Sequence, residues 1–519
     1  MSNAIREISQ DIPLRDKLAQ LMFVRIGSNL PPVRTVEEDA ERIESLLGEC
    51  AIGGLLLFNG RQDATAQTLA HLQCLSKYPL LVAADIERGV GQQLRGETLF
   101  PHAMAFSALG DDAEQHVHEF ARLTGLAART NGIHISFSPV ADVNVDPRNP
   151  IIATRSFGSD PQRVSKLVSA YIAGCKAGGL LATAKHFPGH GNTHEDSHHA
   201  LPTVKASREE METCELVPFK AAITAEVPLI MTAHVRYPGL DPSGTPATLS
   251  KPILVDLLRD SLGFQGVVAS DSLLMEGVKS QSQNPGELAL KTLLAGVDLL
   301  LDVEDPLSTL AALESAVANG HLSIERIDEA YQRVCDLKQQ AAAADTVSES
   351  MQSIRKQTEL LAKQVAKSSI QLVTAEKQLL PFASERSLCA VLLRPHQSHL
   401  DPPEQPLGAA LRDLFPDLEY RELGPNAKPE DYSQMLNIAE KSDQVLIVQI
   451  VKPAAWHRFG LLPEQDAFVK QLIQKRACVL ASLGTPESLD VYPEANIRIC
   501  AYSDVPFSQE ALADFIASA

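Results

Sequence analysis

The 519-residue chain has no Cys-x-x-Cys pair; its eight cysteines, Cys50, Cys74, Cys175, Cys214, Cys335, Cys389, Cys478 and Cys500, are scattered. Their spacing excludes a short disulfide framework and reads as buried thiols in a reducing compartment. Basic charge is also scarce. Against 65 Asp and Glu stand 46 Lys and Arg, a formal net charge of −19. Nucleic acid and anionic membrane are therefore not expected as partners, since both need a basic face. No apolar run approaches the length that spans a bilayer, and the opening MSNAIREISQDIPLRDK lacks the apolar core of a signal peptide. The expectation is a cytoplasmic protein. No repeat of about 20 to 50 residues is evident, which argues against a solenoid.

What is present is the material of an ordinary globular chain, 45% hydrophobic and long enough for two or three domains. Short apolar runs recur through the first 300 residues: QLMFVRI, GGLLLF, LLVAAD, IHISFSP, LLATAKH, LIMTAH, GVVASD and VDLLLD. Stretches of helical periodicity lie between them, among them QHVHEFARLTGLAART and PILVDLLRDSLG. Alternation of eight apolar strands with helices predicts an α/β fold, a (β/α)8 barrel of the TIM type, whose strands are apolar throughout because both faces are buried. An Ala-, Gln- and Lys-rich stretch follows, then five more strand-like runs: SLCAVLL, LEYREL, QVLIVQI, ACVLASL and IRICAY. These predict a barrel domain over residues 1–340, a helical linker over 341–370 and a smaller three-layer α/β sandwich domain over 371–519.

Several barrel runs end in a polar residue of catalytic type. Asp85 follows the third run, Lys185 and His186 end the fifth, His234 the sixth, Asp271 the seventh and Asp302 the eighth, with Asp142 a short way past the fourth. Barrel chemistry is built at the C-terminal ends of the strands, so these side chains are expected to converge on one pocket. Taken singly, any of them is as readily a helix cap. Their convergence is the functional signal.

The stretch KHFPGHGNTHEDSHHALP (185–202) spaces His186, His190, His194 and His198 four apart, a spacing that on a helix would suit zinc or iron. Pro188, Gly189 and Gly191 break such a helix. Read as a loop, the segment places Asp196 and His198 two apart, on one side of an extended chain, where the carboxylate can polarise the imidazole for proton transfer. Asp271, on a rigid strand end, is then the natural carboxylate nucleophile, a pairing with the logic of retaining glycoside hydrolysis.

At these residues the chain resembles glycoside hydrolase family 3, in its β-N-acetylglucosaminidase (β-N-acetylhexosaminidase) branch. The resemblance rests on KHFPGHGNTHEDSHHALP, SFSPVADVNVDPRNPIIATRSFG (136–158), MTAHVRYPGLD (231–241) and GFQGVVASDSLLMEGV (263–278). It implies a covalent glycosyl-enzyme on Asp271 and an acid/base role for His198 paired with Asp196. It further implies that Asp85, Arg155, Lys185 and His186 bind the sugar hydroxyls and that His234 and Met275 line the pocket. Two departures stand out. Many members carry an arginine eight residues after the aspartate of DIERGVGQQLRG; here that position is Gln93, so either Arg95 takes its place or one sugar contact is missing. The other is GHGNT in place of the commoner GHGDT, which puts Asn192 near the acid/base.

The expected activity is a retaining exo-β-N-acetylglucosaminidase acting on a small soluble amino-sugar glycan, a peptidoglycan fragment or chitooligosaccharide, with neither metal nor cofactor. Rival readings are a metal enzyme built on His186, His190, His194 and Asp196, a phosphorylase or β-glucosidase of the same family, and an inactive sugar-binding protein. A neutral histidine acid/base does not repel phosphate as a carboxylate would, which keeps phosphorolysis open.

Overall fold

The computed structural model describes residues 11–193, 201–344, 349–375, 379–397, 401–453 and 459–518. All eight predicted barrel strands are present: β1 (Met22–Ile26), β2 (Gly54–Leu57), β3 (Leu81–Ala84), β4 (Ile135–Ser136), β5 (Leu181–Phe187), β6 (Leu229–Thr232), β7 (Val267–Ala269) and β8 (Leu300–Leu301). They pair in parallel in the order β8-β1-β2-β3-β4-β5-β6-β7, and a bridge from Ala269 to Leu299 joins the two ends into a barrel. Apart from Arg25 on β1, every residue of these strands is buried. That is why the runs are mostly apolar instead of alternating.

Local signals set the connections. Asp160 caps the helix Pro161–Ala177 by accepting from the Gln162 amide, with Pro161 at its first position. At the far end of Pro285–Ala295 the chain turns through Gly296 at φ 115°, a left-handed conformation glycine adopts without strain.

The chain divides into two compact units that are discontinuous in sequence. The first runs up to Leu99 and includes Glu114–Asp146 and Gly158–Thr358, hence all eight barrel strands. The second comprises Phe100–Ala113, Pro147–Phe157 and the chain from Glu359 onward. Its sheet has six strands: β9 (Gln371–Ala375), β10 (Leu388–Leu393), β11 (Leu418–Leu423), β12 (Gln444–Gln449), β13 (Val479–Ser482) and β14 (Ile497–Cys500). They are ordered β9-β14-β13-β12-β10-β11, and only β9 runs antiparallel to its neighbour. Helices Pro406–Leu414 and Pro506–Ser518 pack together, as do Pro429–Lys441 and Pro463–Lys475, completing a three-layer sandwich. The five predicted strands are all there. The sixth, β9, was missing from the sequence reading because QLVTA is a short edge strand with Leu372 and Val373 exposed, which gives it no buried apolar pattern.

Candidate active site

The site residues stand at the C-terminal ends of the barrel strands. Lys185 and His186 lie within the end of β5, Asp85 and Asp302 directly follow β3 and β8, and His234 and Asp271 come two residues after β6 and β7. Past β4 the chain continues beside β5: the Lys185 amide donates to Pro139 O at 3.2 Å and the Ala141 amide to Lys185 O at 2.7 Å. This pairing brings Asp142 against His186.

Asp142 is fully buried and acts as a hub. Its Oδ2 accepts a hydrogen bond from His186 Nδ1–H at 2.7 Å, and its Oδ1 accepts the amides of His186 at 3.2 Å and of His190 at 2.6 Å. Burial pushes its carboxyl upward, yet the imidazoles of His186 and His190 and these donors outweigh burial and hold it below the usual range. Because a carboxylate only accepts, His186 carries its proton on Nδ1, leaving Nε2 as the ring's remaining hydrogen-bonding position. The glycines of the loop serve this packing. A Cβ on Gly191 would lie 1.6 Å from Val143 O, so only glycine lets the loop approach so closely. Residues 188–193 are turn and irregular chain, which removes the helical face that four-apart histidines would need. Among the described residues, no group of three His, Cys, Asp or Glu is arranged to hold a metal. His194, Asp196 and His198 lie outside the described residues.

Lys185 is 3% exposed and bridges two carboxylates, Asp85 at 2.6 Å and Glu87 at 2.8 Å. A buried ammonium costs several kcal/mol unless compensated, and here two opposite charges compensate it. Asp85 remains 32% exposed, so its carboxylate is open to a ligand. Its backbone carbonyl accepts from Gln93 Nε2 at 3.1 Å. Gln93 is buried and Arg95 is exposed.

Asp271 is partly buried, and Ser272 N–H donates to its Oδ1 at 2.7 Å. Burial raises its pKa, but His234, His186, the Ser272 amide and Lys185 together lower it below the ordinary carboxylate value. The carboxylate is therefore ionised near neutrality and surrounded by cationic or polar partners. His234 is buried; its Nε2 donates to Ser272 O at 3.0 Å and its Nδ1 meets Thr248 Oγ1 at 2.7 Å. Met275, 9% exposed, sits in the same turn, with its amide donating to Ser272 O at 3.1 Å. Asp302 belongs to this ring of strand ends, but Arg25 and Ser272 already occupy its carboxylate.

Asp85, Lys185, His186, His234, Asp271 and Met275 all belong to the first unit. Arg155 belongs to the second, on the turn Ala153–Arg155, where its Nη1 donates to Ile151 O at 2.9 Å. Sequence reasoning gave Glu87 no role and counted Asp142 among the converging strand-end residues without assigning it a partner. For Glu87 a signal existed, since in DIERG it stands two residues from Asp85, the spacing that brings side chains to one side of an extended strand. A carboxylate poised ionised beside protonatable imidazoles can attack an electrophilic carbon, and the buried lysine and histidine can hold hydroxyl groups.

Residues 13–337 match the model of the Glycosyl hydrolase family 3 N terminal domain. The "Beta-hexosaminidase A" of Pseudoalteromonas piscicida is 35% identical over 57% of this chain and 54% of its own length. The "Beta-N-acetylglucosaminidase/beta-glucosidase" of Cellulomonas fimi is 32% identical over 68% of this chain and 64% of its own. The aligned part of the chain thus spans less than two thirds of either relative. A solved structure, the glycoside hydrolase family 3 beta-N-acetylglucosaminidase from Paenibacillus sp. str. FPU-7, superposes with a TM-score of 0.87 at 31% identity and covers 98% of this chain and 97% of that one.

Proposed function

Since the chain belongs to glycosyl hydrolase family 3, we propose that it is a retaining exo-β-N-acetylglucosaminidase that removes a terminal N-acetylglucosamine from a short glycan. The observation that carries this reading is the ionised Asp271 at the end of β7, with His234, His186 and Lys185 around it. In the first step an Asp271 oxygen attacks the anomeric carbon, the bond from that carbon to the aglycone oxygen breaks, and His198 gives its proton to the departing oxygen. In the second, water attacks the same carbon, His198 takes the water's proton, and Asp271 leaves as carboxylate. Asp196 orients His198 in both steps.

Asp85, Lys185 and His186 hold the glycone hydroxyls, and His234 and Met275 line the pocket. The chemistry of the set supports this assignment: an open carboxylate, a buried ammonium and an imidazole with a fixed tautomer strongly penalise a sugar that leaves them unpaired. Peptidoglycan fragments or chitooligosaccharides are the substrates that such a terminal amino sugar implies. Cytoplasmic placement accords with eight free cysteines, six of them buried. Among the described residues no helix is long and apolar enough to cross a membrane.

The test compares para-nitrophenyl β-N-acetylglucosaminide with para-nitrophenyl β-glucoside, with EDTA and phosphate as separate additions. We expect strong preference for the N-acetyl sugar, indifference to EDTA and no acceleration by phosphate. Acceleration by phosphate, with a sugar phosphate as product, would replace hydrolysis by phosphorolysis. Preference for the glucoside would overturn the assigned substrate.

A further inference from the structure

Both main-chain polar groups of Ser272 touch the reacting region. Its N–H donates to Asp271 Oδ1 at 2.7 Å, and its carbonyl accepts His234 Nε2–H at 3.0 Å. A rotation of this residue would therefore withdraw a donor from Asp271 and release His234 in one movement. Its side chain is tied down: Ser272 Oγ donates to Asp302 Oδ2 at 2.7 Å.

Asp302 is in turn immobilised. It is 2% exposed and stands at φ 61°, with its amide donating to Phe23 O at 3.0 Å. Arg25 grips its carboxylate with two nitrogens, Nε at 3.0 Å from Oδ1 and Nη2 on Oδ2. A forked pair of this kind fixes direction as well as charge. The guanidinium itself stacks over Phe58, 4.6 Å from the ring centroid. The chain of contacts runs from β1 through the end of β8 to the turn after β7, across the seam where the barrel closes.

We propose that Ser272, clamped by Asp302 and Arg25, is a positioning residue that holds the Asp271 carboxylate and the His234 ring in their working orientations. The inference rests on the reading of Asp271 as the nucleophile. Arg25 also neutralises Asp302, so a second carboxylate can stand in this region without opposing the ionisation of Asp271. A plainer role competes with this one: Ser272 Oγ also accepts the Leu274 amide at 3.3 Å, so the hydroxyl could simply cap the turn. The two roles differ in what they do to acid/base behaviour. A turn cap affects folding alone, whereas a clamp on the donor to Asp271 sets where that carboxylate ionises.

The experiment compares wild type, Ser272→Ala, Ser272→Thr and Asp271→Ala in the full chain by kcat, KM and the pH dependence of kcat/KM on para-nitrophenyl β-N-acetylglucosaminide. For Ser272→Ala we expect kcat to fall about 10- to 100-fold with KM within about threefold, the scale on which small misplacements near the reaction act. Its acid limb should move to higher pH, because the ionised carboxylate loses a fixed donor. Ser272→Thr keeps the hydroxyl and should restore both. A Ser272→Ala enzyme with unchanged kcat and acid limb, beside an inactive Asp271→Ala, overturns the clamp and leaves the nucleophile standing. An active Asp271→Ala overturns both. Should Ser272→Ala not fold, Asp302→Asn takes its place, since it breaks the charged fork with Arg25 while leaving an acceptor for the serine; the same expectations and the same overturning results apply.

Discussion

Two carboxylates at opposite ends of the same pair of strands show how this barrel separates structure from chemistry. Asp298, just before β8, is fully buried and receives Arg259 at 2.6 Å, Arg326 and Arg333 at 3.0 Å each, and the Val268 amide at 3.0 Å. Asp271, just after β7, has a single hydrogen bond among the described residues, from Ser272 N–H. Asp298 has its lone pairs taken up by donors. Asp271 is kept ionised mainly by charges near it and retains an oxygen for something else. Saturation marks a carboxylate that holds the fold, and partial saturation one that is free to react.

The sharpest way to break the comparison is to remove each carboxylate in turn. Asp271→Ala should lower kcat on the order of 10⁴-fold or more, as loss of a central reacting group does, while the thermal midpoint stays near wild type. Retained turnover would end its assignment as nucleophile. Asp298→Ala should do the reverse. It leaves three partly buried arginines without their carboxylate and should cost about 3–5 kcal/mol in urea unfolding, with kcat of the folded protein nearly unchanged. Unaltered stability would mean the arginine knot is dispensable.

A smaller effect is expected at Asp142, which stands between the two cases because it is saturated yet touches a site residue. Asp142→Asn should lower kcat/KM by about 10- to 100-fold, the value of a hydrogen bond to a charged group at about 1.5–3 kcal/mol. If kcat/KM is unaffected, the tautomer of His186 does not matter to binding or turnover. The smallest effect belongs to the barrel floor. Lys338 is enclosed there, bonded to Gln20 Oε1 and, at 2.6 Å, to Pro79 O, and burial pushes its pKa from 10.5 down to about 7. Between those two values the unfolded chain binds a proton that the folded chain lacks, so this group makes stability rise with pH across the window. The urea midpoint of wild type should gain on that of Lys338→Met from pH 7 to 9. Parallel curves would show that the lysine stays charged inside.

How far the sequence revealed these features depended on where their partners lie. The barrel strands were legible because parallel strands buried on both faces are continuous apolar runs, and Asp85, Lys185, His186, His234 and Asp271 were legible because each interrupts or ends such a run. The particular contacts of Glu87 with Lys185 and of Asp142 with His186 show only when β5 comes alongside them. The clamp on Ser272 was less visible still, since Arg25 and Asp302 are separated by 277 positions. No local pattern announces a pairing at that range. The strand β9 escaped for the opposite reason: as a half-exposed edge, it lacks the burial that makes a strand readable.

The discontinuity of the second unit has a consequence for how the protein is made. His102 Nδ1 meets Ser503 Oγ at 2.8 Å, a contact across 401 positions that is internal to that unit. During synthesis at about 5–20 residues per second, the segment around His102 waits roughly 20 to 80 s for its partner to be translated. Over that interval Phe100 and Phe106, both buried in the finished molecule, have no completed unit to enter. The rate of elongation through the 401 positions between these partners, more than any equilibrium property, sets how long the nascent chain displays that surface to chaperones and proteases.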